Sequence, residues 1–170
     1  MFLSPSSHLA NITASKFFYS QFKYYVTDNT IINVSGNTTT LDLTNVDILF
    51  GKWAGIDFVK GAKVRANNSV FRPCDLNSTW RGFGFYDTDS NIIDESLFKN
   101  AQKGLYFEHS TGRVTNNQFH DNQIGLQVYG VDDFNEAITG NTFIVDNLSD
   151  RIDYDTLPCY VNIPFNNEHF

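Results

Sequence analysis

The chain has only two cysteines, Cys74 and Cys159, and no Cys-x-x-Cys pair. That spacing excludes a cysteine-built metal site. With no local geometry to join them, both thiols are expected to be free. No run of about 20 apolar residues exists, so insertion into a membrane as a helix is not expected. No run of basic residues exists either, and the formal charge is −7. A nonspecific nucleic-acid binder is therefore excluded as a class. The stretch Met1-Phe2-Leu3-Ser4-Pro5 lacks the basic and apolar regions of a secretory signal. Alanine, leucine and glutamate are scarce, which disfavours helices.

Phenylalanine, asparagine, threonine, serine and aspartate are abundant instead, a mix that favours strands and turns. At 170 residues the chain is one domain long and can bury a core. Its main feature is a repeat. Val114-Thr115-Asn116-Asn117-Gln118-Phe119, a spacer, and Gly125-Leu126-Gln127-Val128 form one unit. The unit before it reads Ile93-Asp94-Glu95-Ser96-Leu97-Phe98 and Gly104-Leu105-Tyr106-Phe107. The unit after it begins Ile138-Thr139-Gly140-Asn141-Thr142-Phe143. Phe98 to Phe119 is 21 residues, Phe119 to Phe143 is 24, and Gly104 to Gly125 is 21. A period in the twenties with short alternating apolar runs predicts a solenoid.

Residues 1–29 are the least regular part and cluster Phe17, Phe18, Tyr19, Phe22, Tyr24 and Tyr25. They are expected to form an aromatic-rich N-terminal cap or an irregular first coil. Residues 30–170 are expected to be the solenoid proper. Strands are predicted at 31–34, 39–43, 46–50, 53–58 and 64–71, with turns at Ser35-Gly36-Asn37 and Lys60-Gly61-Ala62-Lys63. Trp53-Ala54-Gly55-Ile56 and Trp80-Arg81-Gly82-Phe83 match at a distance of 27 residues, and both tryptophans are expected on the core or a groove wall. With no evident cap after Phe143, the chain is expected to be a segment of a longer protein.

Alternation at Leu105/Phe107 and Leu126/Val128 puts both apolar side chains of each strand on one face. A single coil cannot bury that face, but stacking at the strand spacing of ~4.8 Å can. Phe50, Phe71, Phe98, Phe119 and Phe143 are predicted to form an internal aromatic ladder. Asn117 and Asn141, with Ser96 and Ser69 below them, are predicted to stack at a turn and satisfy its backbone. Glycines 55, 82, 104 and 125 suit the bend entering each strand. An antiparallel sandwich would account for the strands, but not for the common register of Phe, Gly and Asn.

The pattern [IV]-x-x-[NS]-x-F, a spacer, then G-[IL]-x-[VF] resembles the repeat of right-handed parallel β-helix proteins, the pectate-lyase-like superfamily. Residues 34–141 are similar to surface or secreted β-helix proteins of Bacteroidota. The matching blocks are Gly36 to Leu43, Trp53-Ala54-Gly55-Ile56, Gly61-Ala62-Lys63-Val64, Cys74 and Trp80-Arg81-Gly82-Phe83. The resemblance implies an all-β right-handed parallel β-helix of about five coils and an extracellular or cell-surface setting. It is weak for function, because lyases, hydrolases, adhesins and phage tail proteins share the repeat.

Of the catalytic blocks this resemblance implies, Asp87-Thr88-Asp89 and Asp132-Asp133 are the only echoes of the hydrolases' N-T-D and D-D. Gly-His-Gly, Arg-Ile-Lys, W-x-D-H and R-x-P-x-x-R are absent. Arg113 has the residue type of a lyase base, but a lone arginine at a turn is more often solvated or ion-paired. His109 and His120 stand 11 residues apart in different turns and are not expected to pair on a metal.

One constellation draws a functional expectation. The loops after the Gly-led strands carry Tyr86, Asp87 and Asp89, then Glu108 and His109, then Tyr129, Asp132, Asp133 and Glu136. On stacked coils these fall along one edge. The edge is expected to be a solvated acidic face, or a carbohydrate site built from Tyr86, Asp87, Asp89, Glu108, His109, Tyr129 and Asp132. Any Ca²⁺ ion is expected within one loop, at Asp132, Asp133 and Glu136; no other cofactor is expected. The chain is thus read as a noncatalytic module, a spacer or adhesive segment whose partner is a polysaccharide or cell-surface glycan. Two alternatives stay open: the partial catalytic β-helix of a polysaccharide lyase or glycoside hydrolase, and a segment of a phage receptor-binding fibre.

Overall fold

A computed structural model of the protein describes residues 9–13, 16–17, 23–75, 77–130, 138–146 and 159–162. Among these residues there is no helix, and so none long and apolar enough to cross a membrane. The strands come in triplets, each triplet one coil. The first is β1 (Leu9–Ile12), β2 (Lys16–Phe17) and β3 (Lys23–Val26). Five coils follow from Ile31: β4 (Ile31–Ser35), β5 (Thr40–Thr44), β6 (Asp47–Phe50); β7 (Gly55–Val59), β8 (Lys63–Asn67), β9 (Val70–Pro73); β10 (Gly82–Tyr86), β11 (Asn91–Asp94), β12 (Leu97–Lys99); β13 (Lys103–Glu108), β14 (Gly112–Thr115), β15 (Gln118–His120); and β16 (Ile124–Tyr129), β17 (Ile138–Thr139), β18 (Thr142–Ile144). β19 (Cys159–Asn162) pairs on top of β16.

Every pairing is parallel and joins a strand to its equivalent one coil away. Three sheets result: β1-β4-β7-β10-β13-β16-β19, β2-β5-β8-β11-β14-β17 and β3-β6-β9-β12-β15-β18. They enclose the core of a parallel β-helix, and the antiparallel sandwich is set aside.

The period-2 alternation places one set of side chains inside each wall. In the first sheet Val34, Phe58, Phe85, Phe107 and Val128 share one register column. The rings of Phe58 and Phe85 stack at 4.9 Å, and those of Phe85 and Phe107 at 4.3 Å. The third sheet carries the predicted ladder. Phe71, Phe98, Phe119 and Phe143 follow one another at ring distances of 4.9, 5.4 and 5.0 Å.

Phe50 is not a member of that ladder. Ile48 pairs with Phe71, while Phe50 pairs with Pro73, one inward position further along the strand. The cause is the corner before the strand. Asn45, Asn68, Glu95, Asn116 and Gly140 all hold a positive φ there, and the ladder position lies three residues after each. Counting from Asn45 reaches Ile48, and a fixed 21-residue step back from Phe71 overshoots it. Phe50 stays fully buried and stacks on Trp80 at 4.2 Å and 11°.

Trp53 and Trp80 also part company. Trp80 is buried, and its Nε1 donates to the Lys99 carbonyl at 2.8 Å. Trp53 has φ +62° and 36% exposure, so the left-handed backbone turns its ring outward.

The asparagine stack forms as predicted. Asn117 Oδ1 accepts from the Ser96 amide at 2.9 Å, and Asn141 Oδ1 accepts from the Asn117 amide at 2.9 Å. Below them Ser96 Oγ accepts from the Ser69 amide, and Ser69 Oγ accepts from the Val46 amide. A second buried amide, Asn122, does the same work at the next corner, receiving the Ala101 amide and donating to the Phe98 carbonyl.

Coil length varies while register holds. Ile56 to Phe83 is 27 residues, Phe83 to Leu105 is 22 and Leu105 to Leu126 is 21, yet each pair is directly opposed. The additional residues sit in the corner at 74–79, outside the strands.

Candidate functional site

The outer face of the first sheet collects the chemistry. Alternation that sends Ile56, Phe58, Phe83, Phe85, Leu105 and Phe107 inward sends the residues between them outward. One outward column reads Asn33, Asp57, Gly84, Tyr106, Gln127. Two residues along, the next reads Ser35, Val59, Tyr86, Glu108, Tyr129.

Three of the residues expected at the acidic edge therefore meet: Tyr86, Glu108 and Tyr129 are neighbours on successive coils. Tyr129 is the most open of them, with 52% exposure. Asp87 and His109 turn the corner just beyond. Both hold the left-handed conformation, at φ +52° and +45°. The Asp87 amide donates to the Glu108 carbonyl at 3.2 Å, and the His109 amide to the Tyr129 carbonyl at 3.0 Å. The His109 ring lies 6.2 Å from that of Tyr129. Asp89 stands apart, in the exposed turn toward β11, where its carboxylate accepts from Thr111 Oγ1 at 3.0 Å. Asp132, Asp133 and Glu136, and with them the expected Ca²⁺ loop, lie outside the described residues. Among those described, no three His, Cys, Asp or Glu side chains form a group able to hold a metal ion.

The column beside the edge was not anticipated, and it is the more organised of the two. Arg81 Nη2 lies 3.1 Å from Asp57 Oδ2 and donates to the Tyr86 hydroxyl at 3.2 Å. The Tyr106 hydroxyl donates to Glu108 Oε2 at 2.9 Å. Its ring meets that of Tyr86 edge to face at 5.8 Å. Lys103 Nζ sits 4.1 Å from the centroid of the Tyr106 ring. Gly82 opens β10 at φ +105°, where a Cβ would run into the Lys103 carbonyl. A glycine there is what allows Arg81 and Lys103, on neighbouring coils, to come this close. At Gly84 a Cβ would meet Asp57 Oδ1 at 2.6 Å and the Tyr86 hydroxyl at 2.9 Å. The missing side chain is the recess into which the Tyr86 ring folds.

Burial governs the protonation of this cluster. It pushes the Asp57 carboxyl up, and Arg81 pulls it part of the way back. Burial raises the Tyr86 phenol, with the Asp57 charge adding to the effect. Tyr106 is pushed up to about 12, by burial first and then by its bond to Glu108. Lys103 is lowered by burial and by the adjacent Arg81 charge, while Glu108 acts the other way. Asp57 Oδ1 and Gln127 Oε1 are buried acceptors without a hydrogen-bond donor among the described residues.

A stability prediction follows from Asp57. Its folded pKa is raised, so as pH climbs the unfolded chain loses the proton first. Over that window the folded state binds more protons, and stability falls from the ordinary aspartate range up through the raised value. The difference in unfolding free energy between the wild type and Asp57→Asn should therefore drift against the wild type between about pH 3 and 7. Chemical denaturation across that range checks it, and parallel curves would contradict it.

Arg113, the one residue with the type of a lyase base, lies on β14 in a different sheet. Its side chain is 55% exposed and 4.0 Å from Asp94 Oδ2, a solvated surface pair. Cys74 is a free, exposed thiol.

The residue pattern of the family described as "Right handed beta helix region" matches residues 2–144. No curated protein and no solved structure shows a significant match to the chain.

Proposed function

The chain belongs to the right-handed β-helix family, and on that footing we propose that it is a noncatalytic glycan-binding module of a bacterial surface or secreted protein. The binding surface is the outer face of β7, β10, β13 and β16. The observation that carries this reading is the register column Tyr86–Glu108–Tyr129 with His109 beside it. Successive coils repeat at ~4.8 Å, so the column spreads tyrosine rings and hydrogen-bonding groups along a line that an extended sugar chain can follow. Tyrosine suits the task because its ring offers an apolar face and its hydroxyl a polar tip.

A glycan array probed with the purified chain tests the reading, followed by titration of any hit against Tyr129→Ala. The variant is expected to bind roughly tenfold more weakly, as loss of a stacking ring does. No binding across the array, or a hit indifferent to the substitution, would leave this face a solvated wall and the module a spacer.

One observation favours a second reading, a polysaccharide lyase or hydrolase. Asp57 is a buried carboxyl with a raised pKa, set between Arg81 and Tyr86 on the same face. Perturbed groups of this kind are enriched at catalytic sites. Turnover of a polysaccharide that Asp57→Asn abolishes would establish it in place of the first.

A further inference from the structure

Lys103 is the cation on this face that the surrounding protein leaves unsettled. Arg81 has an ion-pair partner in Asp57 and a hydrogen-bond acceptor in Tyr86. Glu108 receives the Tyr106 hydroxyl. No carboxylate of the described residues comes within ion-pair distance of Lys103. Its ammonium rests on the Tyr106 ring, and its amide donates to the Arg81 carbonyl at 3.2 Å, which places the two cationic residues on successive coils. A cation over a ring at a wet site is held weakly compared with a charge-assisted hydrogen bond. Two partly buried positive charges side by side also repel each other, which costs free energy that an anion between them would recover. The chain as a whole carries a formal charge of −7, so a locally uncompensated cation here is not the spill-over of a basic surface.

We propose that Lys103 and Arg81 form a subsite for one anionic substituent, a carboxylate or a sulfate ester, on a saccharide lying across Tyr86, Tyr106 and Tyr129. The proposal rests on the glycan reading of this face and adds the class of sugar it takes. The side chains bind the anion directly, with no bridging cation. Two oxygens of the substituent accept hydrogen bonds from the Lys103 ammonium and from the guanidinium nitrogens of Arg81 not turned to Asp57. The edge-to-face pair of Tyr86 and Tyr106 forms the side wall against which the sugar ring packs.

The test is calorimetric titration of the chain, in EDTA, with two matched pairs of oligosaccharides. One pair is an oligouronate and its carboxyl-reduced counterpart; the other is a sulfated oligogalactan and its desulfated counterpart. The acidic member of one pair is expected to bind roughly tenfold more tightly than its neutral partner, as a charge-assisted contact warrants. Raising the salt concentration should erode that preference. Lys103→Met should abolish the preference while leaving the neutral member's affinity unchanged, and Lys103→Arg should retain it. Tyr129→Ala should weaken both members alike. Which pair shows the effect identifies the substituent. Equal affinity within both pairs overturns the subsite and leaves the glycan reading standing, as does a preference that survives Lys103→Met or needs added Ca²⁺. Absence of binding by all four oligosaccharides sinks the subsite together with the glycan reading.

Discussion

Phe83→Ala is expected to lower the unfolding free energy by about 3–5 kcal/mol, the cost of deleting a large buried ring. Phe83 is where the aromatic systems of the core meet. Its ring makes edge contacts with Phe50, Phe58, Phe71, Trp80 and Phe98 at centroid distances from 4.8 to 6.3 Å. Only 1% of the residue is exposed. The cavity left by alanine has little scope to collapse. Its walls are strands hydrogen-bonded above and below, and the neighbouring rings are held in stacks of their own. The denaturant midpoint followed by circular dichroism checks the expectation. Tyr129→Ala is the surface control and should cost no more than about 0.5 kcal/mol. If the two variants unfold at the same midpoint, Phe83 is not the hub that its contacts make it.

Asn117→Ala should be the next most damaging change, because it leaves buried polar groups without partners. The Asn117 side chain accepts from the Ser96 amide, donates to the Ile93 carbonyl at 2.9 Å, and donates to Asn141 Oδ1 at 3.1 Å. Alanine orphans at least the Ser96 N–H and the Ile93 C=O, and each such group costs about 1–3 kcal/mol when buried. The total is expected near 2–5 kcal/mol, about the sum of the two. Asn117→Ser should fall between alanine and the wild type. Serine already serves this position one coil below, where Ser96 Oγ accepts from the Ser69 amide and donates to the Asp94 carbonyl. Amide hydrogen exchange gives the local readout: protection at Ser96 should drop in the alanine variant and recover in part with serine. Unchanged exchange there would mean that water replaces the amide at no cost.

The inward half of this fold was legible because it is periodic. Phe71, Phe98, Phe119 and Phe143 recur at near-constant intervals, and stacking them demands the coil. Phe50 was misplaced because intervals were counted between rings rather than from the corner that sets the phase. The corner residue is Asn45 in that coil, and its left-handed backbone shows only as an asparagine in a chain full of them. Trp53 and Trp80 looked equivalent for the same reason. Their matching blocks carry no sign of which one takes a positive φ. At the site, Tyr86, Glu108 and Tyr129 could be gathered because each follows an apolar strand at the repeat distance. The Asp57, Arg81, Lys103 and Tyr106 group could not. Its contacts run across coils and depend on Gly84 having no side chain and on Gly82 tolerating its φ. Reading the outward positions of each strand with the care given to the inward ones would have placed Asp57, Tyr106 and Gln127 in one column.

The corner at 74–79 absorbs a length difference of several residues between adjacent coils while every strand around it keeps its partner. In evolutionary terms this separates two kinds of change that most folds couple. The walls admit substitution but no shift in length, whereas that corner admits length at almost no cost to the walls, since closing a longer loop adds only about 0.6 kcal/mol per doubling. New sequence can enter the lineage there without renegotiating the core. A peptide epitope, a protease site or a small folded domain spliced in at that corner would ride on the side of the coil, leaving the tyrosine-bearing face unobstructed.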